Sequence, residues 1–350
     1  MKNGPVIALI SALLFGAGTP LAKLLLGDGV DPWLLAGLLY LGSGIGLGLY
    51  HMIGRVAGAV PREAPLARGD LFWLALVVLA GGVIGPVLLM IGLAQSAAST
   101  AALLLNVEGL ATMGIAWVVF REAVDRRLLL GAFAILAGAV VLSWQGGPGD
   151  FGMGALAIVG ACVAWGIDNN LTRKLSAADP VQIAMVKGLA AGSVNLVLAL
   201  AHGATLPPLP AIAAAGAIGF LGYGVSLVMF VLALRHLGAG RAGAYFSSAP
   251  FIGAVVAVLL LGEPVTGHLV VAALLMGGGL FLHLAERHDH EHTHEAMGHA
   301  HRHVHDIHHQ HEHGPDDPSG EPHTHFHRHA PMTHRHPHYP DLHHRHGHAR

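Results

Sequence analysis

Apolar positions along the chain come in long unbroken runs, separated by short polar or Gly/Pro-rich clusters. Ten runs approach the roughly 20 residues that a helix needs to cross a bilayer: 5–26, 33–53, 70–93, 97–120, 128–145, 152–173, 181–202, 210–234, 240–261 and 266–285. GDGVDP, QGGPGDFG, GATLPPLP and GEPVTG punctuate them, and such breakers end one helix before the next begins. In lipid a backbone must satisfy its own hydrogen bonds, which leaves helices or a closed barrel. Unbroken runs, without period-two alternation, select helices. The expected fold is an all-α integral membrane protein with ten transmembrane helices. The first run, behind Lys2, has the layout of a signal peptide, but its length suits a span and no soluble domain follows. It is read as an uncleaved first helix.

The runs divide into two halves that resemble each other. FGAGTPLAKLL (15–25) answers WGIDNNLTRKL (165–175), and DPW (31–33) answers DPV (179–181). Residues 91–124 align without gaps with 232–265, which sets Glu122 opposite Glu263. Five spans per half is an odd number, so the second copy is inverted in the membrane. Inverted repeats mark secondary transporters, with the substrate near the midplane at the repeat interface. The expected domains are a first repeat at 1–146, a second at 147–286 and a tail at 287–350.

FREAVDRRLLLGAFAILAGAVVLS in the first half and SSAPFIGAVVAVLLLGEPVTGHLVVAALLMGGGLFL in the second share a layout. Each has a Glu at a helix end, followed by a Gly-rich helix. This pattern resembles the EamA domain of the drug/metabolite transporter superfamily, in tandem over about residues 5–285. Pro250 matches the family's mid-helix proline, where the first half has Gly109. The resemblance implies a ten-helix inverted-repeat permease, often an exporter of metabolites or amino acids, and leaves the substrate open.

Composition and charge sharpen this picture. Only 11% of residues are charged, against about 25% in soluble proteins. Arg55, Arg62, Arg68, Arg121, Arg126, Arg127, Arg173, Lys174, Arg235 and Arg241 fall on one side of a ten-span topology, with Lys2 and Arg287; Lys23 alone falls on the other. The positive-inside rule then places both termini in the cytoplasm of a multi-pass inner-membrane protein. The single cysteine, Cys162, precludes an intramolecular disulfide. No P-loop and no nucleophile–base constellation appears, so the chain is read as neither an ATPase nor another enzyme, and as no partner of nucleic acid.

An ionisable group at a helix centre costs at least about 2.5–3.5 kcal/mol, which makes it a functional candidate. Glu108 lies within LLLNVEGLAT, Asp168 within WGIDNN and Lys187 within IAMVKGLAAG. With Asn106 and Asn169 they are expected to bind substrate or carry a coupling proton, and Tyr223, Tyr245 and Ser247 are further pocket candidates. Structural alternatives stand beside this: Glu108 paired with Lys187, Asp168 paired with Arg173, or Asn side chains joining helices. Glu122 and Glu263, at helix ends, suit packing or gating. Pro20, Pro86 and Pro250 interrupt spans 1, 3 and 9, as fixed kinks or as hinges.

Beyond residue 285 the pattern changes. Of 28 histidines, all but His51, His202, His236, His268 and His283 lie there. HxH repeats run through His290, His292 and His294; His299, His301, His303 and His305; His323, His325, His327 and His329; and His334, His336 and His338. In an extended chain residues two apart share a face, so such pairs chelate, and imidazole suits Zn, Ni, Co or Cu. With almost no apolar content the tail cannot build a core, so it is expected to be disordered without metal. The reading that follows is a secondary transporter, an exporter of a small metabolite or amino-acid-like solute, with a metal-binding regulatory tail. The alternative is a divalent transition-metal exporter fed by that tail. A pH-sensing tail and a membrane-anchored metal buffer also compete. The expected partners are the lipid bilayer, a small-molecule substrate and divalent metal ions, with a homodimer left open and no cofactor for transport.

Overall fold

The structure, a computed structural model, describes residues 4–56, 66, 68–120, 126–144, 151–172, 175, 178–237, 243 and 245–284, and four tail segments at 289–294, 297–303, 323–329 and 332–337. The first two helices are α1 (Gly4–Gly27) and α2 (Pro32–Val56). A short 3-10 turn, Arg68–Asp70, opens a long rod made of α3 (Leu71–Val77), a π-helical segment (Val78–Ile84) and α4 (Gly85–Gln95). The next rod breaks at Leu105–Asn106 into α5 (Ala98–Leu104) and α6 (Val107–Phe120). Then come α7 (Arg126–Ser143), α8 (Met153–Thr172) and α9 (Pro180–Ala201). A second rod with a π segment joins α10 (Leu209–Gly219), Phe220–Val225 and α11 (Ser226–Leu237). The last helices are α12 (Ala249–Leu261) and α13 (Gly267–Leu284).

Eight of these rods are long and apolar enough to cross a membrane, and two shorter apolar helices, Ala249–Leu261 and Gly267–His283, follow. The runs read from the sequence therefore become helices, most within a few residues of the expected bounds, whereas the ninth, read as 240–261, has its long helix only from Ala249. What differs is continuity: among the described residues the third, fourth, eighth and ninth runs are each broken inside, the ninth at Ser247 and Ser248. Pro86 and Pro250 stand in the first turns of the segments that follow breaks, whereas Pro20 lies inside an unbroken α1.

Packing follows the two halves. α2 lies along α9, and α7 along α13, each helix against its counterpart in the other half. The remaining contacts exchange. α1 packs on α11 and α12 as α8 packs on α4 and α6. Two copies related by a twofold axis would give this pattern. The gapless alignment of 91–124 with 232–265, extended towards the N-terminus, sets Val78–Ile84 opposite 219–225, so the two π segments coincide as well. Small residues let the backbones meet, as they do at membrane helix interfaces. A Cβ on Gly44 of α2 would lie 2.5 Å from Leu189 N of α9, and one on Gly192 of α9 2.5 Å from Leu41 N of α2.

The largest buried apolar cluster runs through α1, α2, α4, α5 and α8. Large apolar side chains such as Val118, Phe133, Leu259 and Leu274 face outward, where a bilayer would cover them. In the tail, β1 (Asp289–His294) pairs antiparallel with β4 (Met332–Pro337), and β2 (Met297–His303) with β3 (His323–His329). Isolated two-stranded ribbons are marginal in water.

Candidate functional site

The first π segment creates the site's framework. In a π turn the amide bond reaches one residue further back, and here Gly85 N–H bonds Ala80 O instead of Gly81 O. Pro86 has no N–H to offer Gly82 O. Two adjacent carbonyls thus lose their ordinary i+4 helical donors inside the bundle, and side chains from other helices reach both. Gly81 O accepts from Tyr40 OH of α2 at 2.7 Å and from Trp165 Nε1 of α8 at 3.0 Å. Gly82 O accepts from Asn195 Nδ2 of α9 at 2.9 Å. Three helices therefore converge on one turn.

Asp168 and Lys187 meet beside it. Lys187 Nζ of α9 donates to Asp168 Oδ2 of α8. Thr172, one turn on in α8, donates to Asp168 Oδ1 at 3.3 Å. Asp168 is buried, at 4% exposure. Gly81 leaves its carboxylate room, since a Cβ there would fall on Asp168 Oδ2. Lys187, Ala191 and Asn195 share one face of α9 by their spacing, and a Cβ on Gly82 would touch Ala191 and Lys187.

A second polar group adjoins the pair across α6 and α8. Glu108 falls in the first turn of α6, where an acidic side chain complements the helix dipole. Its Oε1 accepts from Asn169 Nδ2 at 3.0 Å. Asn169 Nδ2 also reaches Thr112 Oγ1 at 3.1 Å, and that hydroxyl donates to Glu108 O at 3.0 Å. Asn170 bridges Thr112 O and Gly166 O, at 3.0 and 2.8 Å. Asp168 and Lys187 both act on Glu108 through space. The Oδ1 atoms of Asn170 and Asn195 are buried with no partner among the described residues.

The sequence-predicted residues sort as follows. Asp168, Lys187, Glu108 and Asn169 come together, with Lys187 on Asp168 and Glu108 on the neutral Asn169. Asn106 sits at the break between α5 and α6, donating to Leu103 O at 2.8 Å. Tyr223, in the second π segment, stacks edge-on to Phe15 and lies 5.8 Å from the Tyr40 ring. Tyr245 packs instead with Ile7, Ala8, Phe230 and Ala233, and Ser247 donates to Gly243 O at 2.8 Å. Sequence reasoning missed Tyr40, Thr112, Trp165 and the Gly81–Gly82 carbonyls; the one available signal was Pro86 four residues after Gly82 in a long apolar run. Glu122 and Arg173 lie outside the described residues, as do His305 and His338. In the tail, backbone register sets His290 opposite His336, His292 opposite His334, His299 opposite His327, His301 opposite His325 and His303 opposite His323, with His294 opposite Met332 and Met297 opposite His329. Among the described residues no group of three or more His, Cys, Asp or Glu side chains is placed to hold a metal ion.

Comparison with known proteins agrees with this architecture. The model of the EamA-like transporter family matches residues 2–144 and again 152–285. An uncharacterized transporter of Methanothermobacter thermautotrophicus is 28% identical over 296 residues, 80% of this chain and 85% of that one. A probable terminal-alkyne amino-acid exporter of Streptantibioticus cattleyicolor is 28% identical over 210 residues, 59% of this chain and 70% of that one. A solved crystal structure shares the fold at a TM-score of 0.59 and 19% identity, over 80% of this chain and 95% of that one.

Proposed function

Since the chain belongs to the EamA-like transporter family, we propose that it is a secondary active exporter of a small amino-acid-like solute, bound where Asp168 and Lys187 meet. It has two five-helix repeats, 1–146 and 147–286, in an inner membrane with both termini cytoplasmic. The pair formed by buried Asp168 and part-buried Lys187 carries the reading. An amino acid brings an ammonium and a carboxylate. Entering between the two side chains, it pairs its ammonium with Asp168 and its carboxylate with Lys187, so no charge is stranded in either the empty or the filled state. A lone cation or anion would strand one member of the pair, and breaking a buried pair costs about 3–5 kcal/mol. A divalent metal ion would also meet the Lys187 charge. The amino-acid exporter of Streptantibioticus cattleyicolor supports the same substrate class. Glu108, bonded by a neutral amide, is the coupling proton's carrier: it can ionise or be neutral without losing Asn169 as a partner.

The histidine tail is the regulatory part, binding Zn, Ni, Co or Cu; its HxH spacing and the cross-strand register of its histidines support that role. The same density of ligands favours the second reading, a metal exporter fed by its tail. No cofactor enters transport in either.

Counterflow of labelled neutral amino acids in proteoliposomes tests the site. Asp168→Asn and Lys187→Met should each lower exchange by about 100-fold or more. Glu108→Gln should retain exchange yet lose uphill transport driven by a proton gradient. Parental exchange in inserted Asp168→Asn and Lys187→Met proteins would remove the pair from the site.

A further inference from the structure

The end of the bundle where α1 finishes holds a second set of charges, which the solute site does not use. α4 stops at Gln95 and α5 starts at Ala98, so the chain turns tightly through Ser96 and Ala97. Lys23 of α1 donates Nζ to Leu93 O at 2.7 Å and to Ala94 O at 3.3 Å. Glu263, between α12 and α13, accepts from Ala98 N at 2.6 Å and from Ser99 N at 2.8 Å. A cation thus sits on the free carbonyls of one helix end and a carboxylate on the free amides of the next, as helix dipoles favour. The two charges also act on each other.

Local backbone aims Glu263 there. α12 ends at Gly262, whose φ of 66° is left-handed. Such a glycine terminates a helix without a Cβ clash, and it turns the next residue back towards α5. Below this point α1, α5 and α12 meet on small residues. A Cβ on Gly253 would lie 2.7 Å from Gly16 O and 3.0 Å from Ala102 Cβ, and Ala98, Ala102 and Ala257 are buried. The contact joins the two halves of the chain, since Lys23, α4 and α5 belong to one and Glu263 to the other.

We propose that Glu263 is the latch of this end of the transport path, shut in this structure. The path opens here when the carboxylate leaves the Ala98 and Ser99 amides and α12 separates from α1 and α5. A carboxylate that is only part-buried can trade two amides for water at small net cost, which makes the closure reversible. A dry seam alone would hold both states apart less selectively. The sequence repeats set Lys23 opposite Arg173 and Glu263 opposite Glu122, so a like pair of charges recurs in the sequence with the two halves exchanged. The inference requires a transporter but no particular solute, so it survives if the amino-acid reading fails.

Thiol accessibility tests it without any substrate. Ser99→Cys on α5 and Ala257→Cys on α12 are made separately, and labelling by a maleimide is followed in detergent-solubilised full chain, with the buried Cys162 as the internal control of fold. Adding Glu263→Ala should speed labelling at both positions by roughly tenfold or more, with Cys162 still protected. Lys23→Met should act in the same direction. Faster labelling at Ser99→Cys alone means that only the first turn of α5 frays, and it overturns the latch, as does an unchanged rate at both. If Glu263→Ala exposes Cys162 too, Glu263→Asp decides: it keeps the charge but shortens its reach, and both reporters must then label at intermediate rates with Cys162 protected. Parental rates in that variant overturn the proposal.

Discussion

At the scale of single residues, the site depends on a missing side chain. Gly81 gives up a Cβ so that the Asp168 carboxylate can lie against the π turn, while its carbonyl ties Tyr40 and Trp165 to the same point. Gly81→Ala should therefore push Asp168 off Lys187 and cost about 1–3 kcal/mol by overpacking. Gly114, inside α6, is a useful contrast, because a Cβ there would meet nothing within 4 Å. Gly114→Ala should be neutral or stabilising, since alanine is the better helix former. Thermal unfolding of both variants in one detergent checks the difference. Equal midpoints would mean that the close approach at Gly81 relaxes freely.

At the scale of elements, the π turn and Pro86 explain each other. Pro86 cannot donate to Gly82 O, and Asn195 from α9 supplies the bond instead. Removing that donor in Asn195→Leu leaves a buried carbonyl unpaired, at about 1–3 kcal/mol. In a Pro86→Ala background the new N–H at position 86 can take Gly82 O by an ordinary helical bond, so the same change should cost less. The expected outcome is a coupling of about 1 kcal/mol between the two sites, read from a double-mutant cycle of unfolding free energies. Additive costs would show that Asn195 does not replace the bond that proline removes. The segment Phe220–Val225 in the other half has its own long-reach bond, Ser226 N–H to Leu221 O, without a proline, so this coupling belongs to the first half alone.

At the scale of the whole molecule, a nearly uncharged helical body carries a tail in which histidine is the commonest residue. Truncation after Glu286 should abolish binding of Ni or Zn by the purified protein, measured by calorimetry. In the full chain that binding should weaken between pH 7 and pH 5.5. Imidazoles with an unperturbed pKa near ~6.5 are neutral ligands above it and protonated cations below it, so affinity is lost as pH falls. If the tail regulates export of another solute, basal flux survives truncation and only its metal dependence disappears. If the protein exports metal, truncation raises the metal concentration that flux requires. Unchanged metal tolerance and unchanged flux at every metal level would deny the tail any part in transport.

The membrane-spanning runs, their polar punctuation and the kinship of the two halves could be read from the chain alone, because hydrophobicity, length and repetition are properties of short stretches. Glu108, Asp168 and Lys187 could be picked out for the same reason: each is an ionisable residue in an apolar run. Their partners could not. Lys187 had two carboxylates to choose from, and the packing of α8 and α9 on the same π segment gave it Asp168, while the meeting of α6 with α8 gave Glu108 an amide. Asp168 likewise takes Lys187 as a partner, while Arg173, the partner the sequence offered it, lies outside the described residues. The π turn was hidden because a slipped amide bond alters no hydrophobic pattern; it shows only when Tyr40, Trp165 and Asn195 arrive from other helices to take the freed carbonyls. Glu263 shows the limit most plainly. Its place at a helix end was evident, but its bonds to Ala98 and Ser99 join residues from opposite halves of the chain. Contacts at that separation depend on how helices pack, and only the tertiary structure sets them.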